Sequence, residues 1–448
     1  MKIVNSAEVG RSEIEKLLQK KPFDEVELPK KIRDFNKNIF GKDLTASELV
    51  KKIVDDVRHK GDAAVIDYTK KFDNVEICAE NFLVTEEEIS NAENQVDAKV
   101  IESLKLAAEN IRRYHTEQLP KSWITYRGEN SILGQSIIPL ERVGVYIPGG
   151  LAAYPSSVLM NVIPAKVAGV AEIIMCVPSK NGKINPYVLM AAKIAGADKI
   201  FKIGGAQAVA AMAFGTATIP RVNKITGPGN IFVTLAKKEV YGHCDIDMLA
   251  GPSEILIIAD ESANPIYAAA DMLSQAEHDP LACSIVITTD INLAEKISAQ
   301  VTLQLEKLPR KEIAAASIEN NGLIIAAQNL DEAIDFANIS APEHLELLTK
   351  NPFELLPKIK NAGAIFAGEN SPEPLGDYLA GPNHVLPTGG TAKFYSVLNV
   401  ETFLKRTSII SYTRKDLLNV SEDIMRLANV EGLTAHAQAI NVRKNPNT

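Results

Sequence analysis

The chain has 448 residues, 46% hydrophobic and 23% charged, with a formal net charge of −8. That is too much apolar material for a disordered chain and too much length for one core, since single cores stop growing near about 250–300 residues. The negative balance, with no basic run interleaved with aromatic residues, excludes nucleic acid or an anionic membrane surface as the expected partner.

The first 140 residues read as mainly helical. Thr45 followed by Glu48, and Thr85 followed by Glu88, are capping-box signatures. Leu49, Ile53, Val54 and Val57 line one helix face, and Val100, Leu104, Ile111 and Tyr114 line another. The opening Met1-Lys2-Ile3-Val4-Asn5 starts no apolar signal segment, which points to the cytoplasm. Cys78, Cys176, Cys244 and Cys283 are scattered and form no C-x-x-C. They read as small buried hydrophobes in a reducing compartment.

Near Val143 the pattern changes to an α/β rhythm. Short apolar runs at 143–147, 173–177, 200–203 and 224–226 read as strands buried on both faces. Helical segments at 156–167, 186–195 and 206–214 separate them, two of them followed by Gly169 and Gly196 where a C-terminal cap belongs. From Val143 to Ala165 there is no charge, but its prolines and glycines favour strand, turn and buried helix over a membrane span. After Gly251-Pro252 the rhythm restarts, with strands at 255–258, 284–288, 323–326 and 364–367 and helices at 265–277, 292–305, 331–338 and 353–360. Strands joined by crossover helices make parallel sheets. Two such series imply two lobes and a cleft, with ligands outside the carboxyl ends of the strands. The tail holds a strand at 407–412, a helix from Lys415 and a last helix. It is too small for its own core and should pack on something else, such as a second subunit.

Several segments carry chemistry. Pro148-Gly149-Gly150, Gly204-Gly205-Ala206-Gln207 and Gly227-Pro228-Gly229-Asn230 each follow an expected strand. None is a G-x-G-x-x-G or a P-loop, and any one of them reads as a plain β–α connection; three at one sheet edge make a ligand site an equal reading. Gln275 and His278 are three apart on one helix face and could share a metal ion, although a capping or core histidine is the commoner meaning of such a pair. Glu343-His344 pairs a carboxylate with an imidazole that titrates near neutrality, as general acid–base work needs, or is a surface Glu beside a half-buried His. The proline- and glycine-rich segment 371–378 includes Asp377, a hard-metal donor or a turn residue, and Asn383-His384 follows closely. His436, in the tail, reads alone as a surface residue. Two His, one Gln and one Asp would suit zinc or a related divalent ion, though no spacing rule makes them converge.

In their order and wording these segments resemble the histidinol dehydrogenase family, from about residue 30 to about residue 440. The resemblance rests on Tyr146 to Gly150, Gly204 to Ala208, Gly227 to Asn230, Gly251 to Glu254, Ser274 to His278, Pro342 to Leu345, Gly376 to Tyr378, Gly381 to Thr388 and Leu433 to His436. It implies a homodimer of intertwined subunits with two incomplete Rossmann-like lobes. The expected division is an arm at 1–30, a first lobe from 31–142 with 254–393, a second lobe at 143–253, and a small dimerisation domain at 394–448. The implied activity is two NAD-linked oxidations, L-histidinol to L-histidinal to L-histidine, with one zinc ion per subunit. Gln275, His278, Asp377 and His436 would bind the zinc, His436 from the partner chain; Tyr146, Gln207 and Asn230 would contact NAD. Ser253, His344, Glu431 and the zinc ligands would hold the substrate, with His344 as general base and Glu343 activating water. The alternatives are a dehydrogenase of the same superfamily acting on another small alcohol, such as a sulfonated diol, a two-lobed small-molecule binding protein, and a metal-stabilised structural protein. Glu431 and the intact metal shell favour histidinol over the first. The missing export signal and the Glu343-His344 pair speak against the second, and three glycine turns at one sheet edge against the third.

Overall fold

The computed structural model describes residues 1–20, 30–149 and 153–444, so Gly150 of the first glycine turn lies outside the described residues. In chain order the strands are β1 Lys2–Asn5, β2 Trp123–Arg127, β3 Ser131–Pro139, β4 Arg142–Tyr146, β5 Glu172–Cys176, β6 Lys199–Phe201, β7 Lys224–Thr226, β8 Asp245–Ile246, β9 Glu254–Ala259, β10 Cys283–Thr288, β11 Gly322–Ala326, β12 His344–Leu348, β13 Ala364–Ala367 and β14 Leu404–Ser411. They form a parallel sheet ordered β6-β5-β4-β7-β8, a parallel sheet ordered β1-β11-β10-β9-β12-β13, and an antiparallel sheet ordered β14-β3-β2.

The parallel sheets follow from the apolar runs. β9 reads Glu-Ile-Leu-Ile-Ile-Ala and every residue is buried, as a strand covered on both faces requires. Ile255 and Ile257 face the helices Pro265–Ala276 and Ile291–Leu305 through Met272, Leu273, Leu293 and Ile297. Leu256 and Ile258 face the opposite layer, where Ile14, Leu18, Ile334 and Phe336 pack. Thr45 and Thr85 close both expected capping boxes, and Gly169 and Gly196 are left-handed helix caps.

The domain division needs correction. The first residues are not a separate arm: β1 pairs in parallel with β11, and Ile14 and Leu18 of the helix Arg11–Leu18 are core residues. Nor does the helical region 46–116 join the 254–393 lobe. Leu49, Ile53, Val57 and Tyr68 share a core with Val209, Met212, Val233 and Ala236 of the 143–253 lobe. The reason is the helix Gly205–Phe214, buried all round from Ala206 to Ala213. A helix apolar on every side needs an outer layer, and Ala46–Lys60 and Asp62–Asp73 supply it. Glu86–Glu93 and Ala98–Thr116 do the same for Pro186–Ala195 and Pro155–Ala168 on the other side of the sheet.

Several elements go beyond the sequence reading: β2, β3, β8, β12 and the helix Lys311–Asn321. The helix expected at 353–360 stops at Leu355 and continues as a short 3₁₀ turn Leu356–Lys358, because Pro357 cannot continue the ladder. The chain divides into two compact units, residues 1–118 with 140–403, and residues 119–139 with the chain from 404 onward. The tail unit therefore starts later than 394 and includes the β2–β3 hairpin, because β14 needs β3 as a partner along its whole length. Within that unit Asp416 accepts from the Ser131 hydroxyl at 2.5 Å and the Glu129 amide at 3.0 Å, tying the helix Arg414–Val430 to the hairpin. No described helix is long and apolar enough to cross a membrane.

Candidate active site

The site is built where β9 and β12 lie side by side, with His344 opposite Ile255. The peptide groups on either side of the Glu254 Cα hold two side chains. The Glu254 N–H donates to Oε2 of Glu343 at 2.8 Å, and the Glu254 carbonyl oxygen lies 3.0 Å from Nδ1 of His344. A carbonyl only accepts, so Nδ1 carries the proton and Nε2 carries the lone pair. That Nε2 is buried with no partner. Burial pushes the His344 pKa down to about 4, against the opposing charge of Asp377. Burial also holds the Glu343 carboxyl well above the usual carboxylate range, only partly countered by the Glu254 N–H. The result is a neutral imidazole with a free basic nitrogen beside a carboxyl group.

A second group of side chains lies at the end of the helix Pro265–Ala276. His278, Glu373 and Asp377 bring ligand atoms within 4.8 Å of one another. Glu373 and Asp377 are four apart on the short helix Glu373–Tyr378 and so share a face. Gln275 is fully buried and neither of its amide atoms has a partner, and His278 continues the turn by donating its backbone N–H to the Gln275 carbonyl at 3.2 Å. Ser274 donates to Glu373 at 3.1 Å, while the Glu373 backbone N–H donates to Glu346 at 2.8 Å. Burial, with the charge of Asp377, pushes Glu373 up to about 8. Burial works the same way on Asp377, but His384, whose Nδ1 is 3.6 Å from Oδ1, holds it below the usual range. Nε2 of His384 in turn lies 3.3 Å from the Ser157 hydroxyl. A buried carboxamide with no partner is costly to leave unsatisfied. His278, Glu373 and Asp377 supply an imidazole and two carboxylates, a nitrogen-and-oxygen donor set that fits zinc or a related divalent ion.

The glycine turns follow β4, β6 and β7, at the carboxyl edge of the five-stranded sheet. Tyr146 ends β4, and its phenol oxygen accepts from the Gly205 N–H at 3.1 Å. Gln207, in the first turn of the helix Gly205–Phe214, is buried and both its amide atoms lack partners. Gly227 has φ +110°, and a Cβ there would meet the Tyr146 carbonyl oxygen at 2.0 Å. Asp247 accepts from its N–H at 2.8 Å, and Lys237 donates to its carbonyl at 3.1 Å; Lys237 and Asp247 also form a buried ion pair. Asn230 is exposed and caps the helix Ile231–Val240 through the amides of Phe232 and Val233. The chain thus offers a preformed turn with an unsatisfied buried carboxamide, which fits a polar cofactor.

Of the remaining expected site residues, Ser253 is half-buried immediately before β9, and its carbonyl accepts from the Cys283 N–H at 3.0 Å. Glu431 and His436 belong to the second unit, where both are exposed: Glu431 ends the helix Arg414–Val430, and His436 lies in the first turn of Thr434–Lys444. Sequence reasoning missed Glu373 and Glu254. The signal for Glu373 was its four-residue spacing from Asp377; Glu254 gave none.

The sequence profile for histidinol dehydrogenase matches residues 40–444. The histidinol dehydrogenase of Heliobacterium mobile is 56% identical over 402 residues, covering 90% of this chain and 94% of that one. That of Clostridium acetobutylicum is 54% identical over 395 residues, covering 88% and 91%. The crystal structure of histidinol dehydrogenase from Elizabethkingia anophelis is similar with a TM-score of 0.90 at 37% identity, covering 100% of this chain and 99% of that one.

Proposed function

The chain belongs to the histidinol dehydrogenase family, and from that premise we propose that it oxidises L-histidinol through L-histidinal to L-histidine with two NAD and one zinc ion. The observation that carries this reading is the His344 Nε2, buried, unpartnered and fixed as the basic nitrogen by the Glu254 carbonyl. In the first oxidation His344 takes the alcohol proton. Before the second, Glu343 would take a proton from the water that adds to the aldehyde, acting in its carboxylate form, which burial disfavours and the Glu254 N–H supports, and His344 then takes the hydroxyl proton of the hydrate. NAD, when bound, accepts the hydride in each oxidation. Tyr146, Gln207 and Asn230 would contact it.

Gln275, His278 and Asp377 would hold the zinc, with Glu373 in reach of the same point. Zinc, when bound, supplies a Lewis-acidic anchor for the substrate amine and imidazole, which is mainly orientation. Ser253 and Glu431 would complete the substrate site. The fourth zinc ligand in this reading is His436 of a second copy of the chain. The exposed Trp123, Ile124, Tyr126, Ile410, Leu427 and Val430 of the tail unit support a homodimer, since so much apolar surface invites a partner.

The deciding experiment follows NADH absorbance with purified, zinc-loaded protein and L-histidinol. Two NADH per histidinol are expected, lost on chelation and restored by zinc. No NADH from a protein with confirmed zinc would overturn the substrate. His436→Ala is expected to lose zinc on dialysis that leaves the unsubstituted protein loaded. Unchanged zinc in that variant would remove His436 from the ligand set.

A further inference from the structure

Glu254 meets the reacting pair through its backbone and something else through its side chain. Its Oε1 accepts from the Gly389 N–H at 3.2 Å and lies 3.3 Å from Nζ of Lys20, while Oε2 is buried without a partner. The Lys20 and Glu254 side chains are 17% and 8% exposed, so this is an ion pair largely out of water. The Lys20 Nζ also lies 3.8 Å from the Cys283 thiol, at the start of β10. Burial works to discharge the ammonium, but the charges of Glu254 and Cys283 and the hydrogen bonds to them together offset it, and the pKa is raised. Lys20 stands two residues past the helix Arg11–Leu18, whose Ile14 and Leu18 pack with Leu256, Leu345 and Leu347 of β9 and β12. The lysine is therefore anchored on the same core that carries the dyad.

The arrangement has one consequence for charge. Glu254 and Glu343 are neighbouring buried carboxyl groups, and the charge of Glu254 acts on Glu343. Without a cation, Glu254 would be a buried charge with only one backbone donor, and would have to protonate or swing away. Either response moves the peptide groups that hold Glu343 and His344.

We propose that Lys20 is a positioning residue for the oxidation: its ammonium pins the Glu254 carboxylate, and the pinned Glu254 backbone keeps Glu343 and His344 in their reactive arrangement. A displacement of about 1 Å at reacting groups can cost about 100-fold in rate. The inference rests on the histidinol reading, so its test needs one readout that does not use substrate. Lys20→Met and Lys20→Arg holoenzymes are compared with the unsubstituted protein in kcat, in KM for histidinol, in zinc content, and in the His344 Nδ1–H resonance of protein carrying ¹⁵N-histidine. Lys20→Met should keep its zinc and its KM within about two-fold, lose about tenfold or more in kcat, and shift the resonance, with Lys20→Arg restoring most of both. An unchanged kcat in Lys20→Met, or a changed kcat with an unmoved resonance, overturns the proposal. If the unsubstituted protein fails to oxidise histidinol, the substrate reading falls, and the resonance alone decides the tether. Should Lys20→Met not fold, Glu254→Gln keeps an acceptor for Gly389 but removes the attraction for Lys20. The same shift is expected from it, and its absence counts against the tether.

Discussion

His344→Asn is expected to keep the fold and the zinc while lowering NADH formation from histidinol by about 10²–10⁴-fold, the range that positioned acid–base groups supply. The asparagine amide can still donate to the Glu254 carbonyl, as Nδ1 does now. β12 keeps its ladders to β9 and β13, and its residues are buried on both faces, so little stability should change. What asparagine lacks is a basic nitrogen where Nε2 stands. Because burial lowers the His344 pKa, the imidazole is neutral through the physiological range and ready to accept a proton. The variant should therefore lose kcat far more than KM, with zinc content and the urea midpoint retained. Activity within a few-fold of the unsubstituted enzyme would remove His344 from proton transfer.

How much of this was legible in the sequence depends on how local each signal is. The sequence reading places strands 224–226 and 364–367 to the residue: Ala364–Ala367 is an uninterrupted apolar run between turn residues, and Lys224-Ile225-Thr226 is set off by the Gly227-Pro228-Gly229 turn that follows it. The caps at Thr45 and Thr85 were legible for the same reason, being satisfied within four residues. β12 is not, although it is central and carries His344: Glu346 interrupts its apolar run, and Oε1 of that carboxyl accepts from the backbone N–H of Glu373, 27 residues away. The stripe Leu49, Ile53, Val54 and Val57 marks a buried face, whereas in the second stripe Leu104 and Ile111 are buried beside Ala107, Ala108 and His115 and Tyr114 is exposed; neither stripe says which lobe does the burying. The segment at 371–378 looked like a rigid loop because of Pro372 and Pro374. Proline in a helix's first turn is well tolerated, and there it starts the turn that sets Glu373 four residues from Asp377. Glu254 reads as one polar residue at a strand end. Its importance comes only from the pairing of β9 with β12, some 90 residues apart in sequence. Gln275, His278 and Asp377 are visible in the sequence as donors, yet the convergence of His278 and Asp377 with Glu373 is a property of the fold.

Gly227→Ala is the second large effect, and it should act through stability and cofactor binding together. The backbone there has φ +110°, which an L side chain rarely adopts, and the new Cβ would sit 2.0 Å from the Tyr146 carbonyl oxygen. The obstacle is backbone, so no rotamer change relieves it. Tyr146 ends β4, whose neighbours β5 and β7 hold it from both sides. The turn cannot retreat either, since Asp247 and Lys237 grip its N–H and carbonyl from a buried ion pair. Conformational strain alone costs about 1–3 kcal/mol, and the added overlap should bring the total to about 4 kcal/mol. Gly242→Ala is the natural control: its φ is +96°, but nothing lies within 4 Å of the added carbon. It should show the strain cost without the overlap, and keep NAD binding. Urea unfolding and NAD titration of both variants would separate the two terms. Any folded Gly227→Ala should bind NAD poorly, because moving Tyr146 also moves the phenol that caps Gly205 at the head of the Gln207 helix. It should still bind zinc, because Gln275, His278 and Asp377 stand on elements of the other sheet's layer. Equal midpoints for the two variants, with NAD affinity intact in both, would mean that the Gly227 turn neither needs its glycine nor serves the cofactor.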